Sequence, residues 1–361
     1  CSWRAPVQPT PTASAVKGGV TFSDVVLARA DTKGQLRWKL EAKGVTYGEG
    51  QSVSKAKSIK GQLYEKGRPI FDIVAQSGTV RQSDQQVRLQ GNIQVSDRQN
   101  RLVFRGREAQ WNAQSGVLTV QNGLTVTHPQ LQLWAKVLQA SQRGQVVRVS
   151  GQVVMETRPM ADNATGRLQL KANRALWQVA QQQVQAGEAS TNPQQPTVEV
   201  KRLDAGQDSA IALAGTVQAN LNTGVVQLTT PVQLQRGSLQ LATRTLTWDT
   251  QKQRIFSPEL VQIQDAQRQI SVLANQGTLL ERESLVDLQG KVEMKGLRND
   301  ARLATDQLLW HTNTQRIEAV GNVNYQQTSP QFSLKGPRAV GRIADQTVRI
   351  SGGNVVTEIV P

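Results

Sequence analysis

The stretch "VRLQGNIQV" (Val87–Val95) decides how this chain is read. Val87, Leu89, Ile93 and Val95 are apolar and alternate with Arg88, Gln90, Asn92 and Gln94. Period two belongs to a half-buried strand and not to a helix. Gly91 stands at the centre, and a Gly inside a strand pattern marks a bulge or a bend where backbones pass closely. The same unit returns as "VRVSGQVVM" (147–155), "IALAGTVQA" (211–219), "VDLQGKVEM" (286–294), "IEAVGNVNY" (317–325) and "VRISGGNVV" (348–356). Gly91, Gly151, Gly215, Gly290, Gly321 and Gly352 are therefore expected to be strand-bend glycines.

A second repeat runs through the chain. Trp111, Trp177, Trp248 and Trp310 share one frame, as in "LQLATRTLTWDTQKQRI" (239–255) and "LATDQLLWHTNTQRI" (303–317), where Ile follows Trp by seven positions. Turn signals such as "QNG", "NTG" and "TSP" separate the runs, and no segment keeps a helical period. The expected fold is all-β: short strands, bent and stacked into a two-sheet β-jellyroll or solenoid. The breaker-rich "ETRPMADNATGR" (156–167) is the best domain break. The expected organisation is a tether over 1–18, one jellyroll over 19–159 and a second over 160–361.

Composition narrows the function. Hydrophobic residues make up 38% and aromatics 4% of 361 residues, enough for sheets with one polar face. A formal charge of +15, from Lys and Arg scattered along the sequence, implies anionic partners such as anionic headgroups or phosphorylated glycolipids. A nucleic-acid reader would need exposed aromatics, whereas here they share a face with Leu and Val, so no nucleic-acid partner is expected. The two His residues, His128 and His311, are far apart, and no cluster has metal-ligand spacing. No nucleophile elbow or phosphate loop occurs either, so neither an enzyme nor a cofactor is expected. No stretch approaches the ~20 apolar residues of a spanning helix. The single Cys, Cys1, excludes an internal disulfide. Followed by the Pro/Ser/Thr-rich "SWRAPVQPTPTAS", it reads as the lipid anchor of a lipoprotein, or as the start of a fragment.

An ordered series of motifs carries a family resemblance. It comprises "VTFSDVVLARADTKGQLRWKLEAKGVTY" (20–47), "GQLYEKGRPIFDIVAQSGTV" (61–80), "VRLQGNIQV" (87–95), the "L-x-F…W-N" unit ending at Asn112, and "VRVSGQVV" (147–154). In order and spacing, Val20–Pro159 resembles the LptC family of lipopolysaccharide export. Residues 167–361 look like a further OstA-like domain, the type shared by LptA and the periplasmic part of LptD. The resemblance implies two facing antiparallel sheets splayed into a V, with lipid A acyl chains in the apolar interior. The inward positions Trp38, Leu40, Phe71, Ile73, Leu89, Ile93, Leu102, Phe104 and Trp111 are then the expected groove lining. It also implies a periplasmic protein held at the inner membrane. Its partners would be lipopolysaccharide, an ABC transporter of LptB, LptF and LptG type, and an LptA- or LptD-type jellyroll added at an edge strand. The edges expected to receive partners are Val20 and Phe22 at one end and Val348 and Ile350 at the other. A structural scaffold with a sealed interior is the alternative.

Overall fold

The computed structural model describes residues 14–16, 19–47, 53–65, 67–81, 86–97, 99–112, 114–141, 146–158, 167–188, 195–203, 210–296, 300–328, 331–343, 347–351 and 356–359. Cys1 and Gly352 lie outside the described residues. Strands fill almost all of these segments, and no helix occurs among them. The fold is all-β.

The chain divides into two compact units, Cys1–Met155 with Leu176–Gln181, and Glu156–Ala175 with Gln182–Pro361. The first is built from β1 (Ser14–Val16), β2 (Gly19–Ala30), β3 (Leu36–Tyr47), β4 (Val53–Glu65), β5 (Arg68–Arg81), β6 (Gln86–Asp97), β7 (Leu102–Asn112), β8 (Val117–Thr127), β9 (Leu131–Ser141) and most of β10 (Val146–Thr157). From β2 to β9 each strand pairs antiparallel with the next. Trp177 belongs to this unit and meets the His128 ring edge-on at 5.1 Å.

The second unit holds β11 (Leu168–Gln178, all but its last residues), β12 (Gln183–Gly187), β13 (Val198–Arg202), β14 (Ile211–Asn220), β15 (Val225–Arg236), β16 (Leu239–Asp249), β17 (Arg254–Ser257), β18 (Val261–Asp265), β19 (Ile270–Ala274) and β20 (Gln276–Leu280). It continues with β21 (Leu285–Gly296), β22 (Ala301–His311), β23 (Arg316–Thr328), β24 (Gln331–Arg342), β25 (Thr347–Ser351) and β26 (Val356–Ile359).

Pairing in the second unit shows why its long strands must bend. One half of β16 pairs with β18 and the other with β17. In the same way β21 serves β19 and β20, and β24 serves β25 and β26. Each long strand thus belongs to two half-sheets, whose apolar faces meet in one core. In that core Ile263, Ile270, Val272, Met294 and Leu303 from one half pack with Val286, Leu288, Leu308 and Trp310 from the other.

The crossing point is a bulge, and it coincides with the Gly of the repeat. Register slips between Gln90 and Ile93, between Gln289 and Val292, and between Val320 and Val323. Gly91, Gly151, Gly290 and Gly321 are left-handed, with φ of +75° to +83°, and so are the residues after them, Asn92, Gln152, Lys291 and Asn322. Two consecutive left-handed residues kink the strand, and only Gly enters that region without a Cβ penalty. Gly215 differs. Its φ is not left-handed, but a Cβ there would stand 2.0 Å from the Thr230 carbonyl oxygen, so close approach of β15 demands Gly. Asp24 and Ser58 make left-handed bends in β2 and β4 without any Gly.

The Trp repeat is explained by register. Trp248 sits opposite Ile255, Trp310 opposite Ile317 and Trp111 opposite Leu118, so the residue seven positions on is the cross-strand partner across a tight turn. Trp111, Trp177, Trp248 and Trp310 are all buried, and such aromatic–aliphatic pairs are the unit of sheet stabilisation.

Gly151→Ala tests the bend. Its Cβ would lie 2.8 Å from Lys136 Cβ on the neighbouring strand, in addition to the left-handed strain. The expected loss is about 2–3 kcal/mol in denaturant unfolding. Gly34→Ala, at φ +76° but with nothing near its Cβ, is expected to lose only the ~1–2 kcal/mol of strain. Equal losses would place the whole cost in φ.

Candidate functional site

The nine inward residues named from the sequence are all buried. Trp38 and Phe71 are 5% exposed and Leu40, Ile73, Leu89, Ile93, Leu102, Phe104 and Trp111 are 2% or less. They form part of a packed core in the first unit, where the Phe71 and Phe104 rings meet edge-on at 6.3 Å. The register sets three of them against other core residues: Ile73 lies opposite Val95, Val95 opposite Phe104, and Val87 opposite Trp111.

Open space lies elsewhere. In the second unit a cavity of ≈ 290 Å³ sits between the half-sheets. Ile270, Met294, Leu303 and Tyr325 wall one side, and Ile317, Ala319, Ala339 and Ile343 the other. Its mouth is polar, with Gln267, Arg268 and Gln269 from the β18–β19 turn, Gln315 from the β22–β23 turn, and Arg342. Beside it along the strand order lies a second void of ≈ 40 Å³, lined mainly by Leu234, Leu239, Leu241, Ile263, Leu279 and Leu288. None of the nine sequence-derived residues lines either void. Both are offered by the same alternation that the sequence shows. What opens the larger one is the small size of Gly296, Ala301, Ala319, Ala339 and Gly341 in its walls, a signal that sequence reasoning passed over.

Two ion pairs hold the edges of this interior. Arg268 donates from its backbone N to Asp265 Oδ1 at 3.1 Å, from Nη1 to Asp265 Oδ2, and to Ser238 Oγ at 3.2 Å. This fixes the guanidinium at the cavity mouth. Across the sandwich Arg202 Nη1 donates to both oxygens of Glu281 at 3.1 Å, and Arg236 Nη1 stands 4.0 Å from the same carboxylate. Glu281 lies in the β20–β21 turn while Arg202 and Arg236 end β13 and β15, so this pair bridges elements 79 residues apart. Arg236 also lines the smaller void.

The edges are placed as follows. β25 and β26 both pair with β24, and Val348 and Ile350 lie opposite Gly341 and Ala339. Val348 is also part of the cavity wall. At the other end β1 already covers the start of β2, with Val20 opposite Ala15, while Phe22 lies beyond that pairing and packs edge-on against Tyr47 at 5.7 Å. Among the described residues no three His, Cys, Asp or Glu side chains are grouped to hold a metal, and no helix is long and apolar enough to cross a membrane.

A family described as "Lipopolysaccharide-assembly, LptC-related" matches residues 7–157 and 245–358, well over half of the sequence. The chain belongs to this LptC family. It is accordingly a component of lipopolysaccharide transport and not an enzyme. The crystal structure of LptH, the LptA homologous periplasmic component of the conserved lipopolysaccharide transport device from Pseudomonas aeruginosa, is similar at 16% identity and a TM-score of 0.22, over 44% of this chain and 83% of that one. No curated protein matches the sequence. The family match falls on both units, so the second, like the first, carries LptC-type sequence.

Asp265 gives the site a pH signature. Burial raises its pKa, but hydrogen bonds from the Arg268 side chain and backbone and from Ser238 outweigh that, and the net effect is a lowered pKa. A depressed folded pKa contributes stability above the unfolded value and loses it as pH falls through the folded one. Asp265→Asn is therefore expected to cost about 1–3 kcal/mol at neutral pH. Its acid limb of unfolding, below about pH 4, should be shallower than that of the unsubstituted chain. A parallel acid limb would show that the pair contributes nothing.

Proposed function

We propose that this LptC-family chain carries the acyl chains of lipopolysaccharide between its half-sheets, with sugars and phosphates left outside. The observation behind this reading is the ≈ 290 Å³ cavity, apolar within and edged by Arg268 and Arg342. Its size is near the lower end of ordinary ligand pockets, about 300–1,000 Å³. Exposing one chain of about a dozen carbons to water costs on the order of 10 kcal/mol, at ~0.8 per CH₂. An apolar interior replaces bilayer at little net cost, and guanidinium groups at its mouth suit phosphates. Directional movement needs energy from outside, which an inner-membrane transporter of LptB, LptF and LptG type would supply. The chain would work in the periplasm, held at the inner membrane, with Cys1 as the lipid anchor. It would hand lipid to an LptA- or LptD-type jellyroll added beside Val348 and Ile350. Phe22, beyond the part of β2 that β1 pairs with, would face the transporter.

A sealed, bracing role for the first unit is the second reading. It is favoured by the burial of the nine inward residues and by their absence from the lining of either void described above. Photo-crosslinkers separate the two. Residues replaced at Ile317 and Ile343 are expected to capture lipopolysaccharide, and one at the exposed Leu260 is not. Capture at Phe104 as well would make the first unit a carrier. Capture at none of the inward positions would remove lipid carriage altogether.

The joint is tested by Ile350→Pro, which spares the cavity wall at Val348. Affinity for an LptA-type partner should fall at least about tenfold, because Pro removes a strand donor, while crosslinking of lipid at Ile317 persists. Unchanged partner affinity would put the joint elsewhere.

A further inference from the structure

The +15 charge is placed unevenly. Residues 19–155 contain 19 Lys and Arg against 9 Asp and Glu, whereas residues 156–361 contain 21 against 18. Within the first unit the fold gathers cations that look scattered in sequence. The register sets Lys57 opposite Gly44, Lys55 opposite Thr46 and Lys60 opposite Glu41. Ala42, Val45, Ala56 and Ile59 turn into the core, which leaves Lys43, Lys55, Lys57 and Lys60 exposed together on the outer face of β3 and β4. None of the four forms an ion pair among the described residues, whereas Lys171 with Glu199 and Arg244 with Glu259 are matched elsewhere.

Beside these lysines lies an open hollow of ≈ 590 Å³ where β2, β4 and β6 bend at Asp24, Ser58 and Asn92. Val26, Glu41, Lys60 and Val74 cross it as successive cross-strand partners. Val26 and Val74 are 54% and 45% exposed, two of the few large apolar side chains left open to solvent. Crowded like charges destabilise a sheet face unless an anion meets them. Protein interfaces are depleted of Lys and enriched in Arg and aromatics. The residues lining this hollow include neither Arg nor an aromatic. Its two carboxylates, Asp24 and Glu41, offset Lys43 and Lys60, so the excess charge of the face comes from Lys55 and Lys57. Lys55 and Lys60 are separated by roughly 15 Å of strand, more than the ~8 Å Debye length at physiological salt. Such charges suit an extended anionic plane better than one phosphate group.

We propose that the outer face of β3 and β4 lies against an anionic phospholipid bilayer, with its lysines at the headgroup phosphates and Val26 and Val74 at the interface. This is independent of the lipid-carrying interior. Each Lys near an anionic bilayer is worth about fivefold in affinity. The full chain, produced without acylation, is expected to co-sediment with phosphatidylcholine vesicles containing phosphatidylglycerol, and not with phosphatidylcholine alone. Replacing Lys43, Lys55, Lys57 and Lys60 with Gln should weaken this at least about 25-fold, two lysines' worth, and leave lipopolysaccharide crosslinking at Ile317 unchanged. Replacing Lys252, Lys295, Arg302 and Lys335 with Gln removes as much charge from exposed positions of the second unit and should change binding less than threefold. Equal binding to both vesicles, binding to neither, or equal losses in the two variants would overturn the proposal. Binding to neither vesicle would leave an acidic protein as the partner of this face.

Discussion

The structure depends on one backbone device, the crossing bulge that lets a single strand serve two half-sheets. A strand that stayed straight would present its apolar side to one sheet only and leave it uncovered. Two left-handed residues in succession, as at Gly290–Lys291 and Gly321–Asn322, turn the strand so that its two halves face each other over one core. Left-handed Gln and Lys are each unfavourable by ~1–2 kcal/mol relative to Gly, so the surrounding pairing must hold them there. Burial of the Trp–Ile and Trp–Leu pairs on either side does so. Bend and core are therefore one interaction seen from two ends.

Much of this was legible because it is local. Period two and the central Gly are properties of nine consecutive residues, and the spacing of Trp and its partner is fixed by a hairpin turn. The bends at Asp24 and Ser58 were not legible, because a residue with a side chain is left-handed there and sends no compositional signal. At Gly215 the repeat gives no hint that the constraint is the Thr230 carbonyl and not the residue's own φ. The site was harder. Inward and outward could be told apart for Phe104 or Trp111, but packed and open could not, since a void depends on which side chains meet across the sandwich. Ala319 and Ala339 leave space only because they face Leu303 and Met294 from another half-sheet. Arg202 and Glu281 meet across 79 residues, and the four lysines of β3 and β4 meet through register alone.

The two units divide the physical work differently. The first buries all nine inward residues and carries most of the excess positive charge. The second is nearly neutral, is held by Arg202–Glu281 and Arg268–Asp265, and keeps apolar space in reserve. Buried ion pairs contribute little to net stability compared with apolar replacements, but they are strongly directional. That suits their place at the rims of an interior whose walls must stay a set distance apart.

Pairing between neighbours in the chain has a consequence for how the protein comes into being. From β2 to β9 every strand finds its partner one turn earlier in the sequence. Where short strands intervene, the partner is one element further back, as with β19 and β21, or two, as with β17 and β20. Loop closure is then short at every step, and contact order stays low for an all-β molecule of this length. The chain can zip up from its first strands as it emerges, each new hairpin templated by the edge before it. Through β2 to β9, the open edge at each stage of that assembly is the most recent strand.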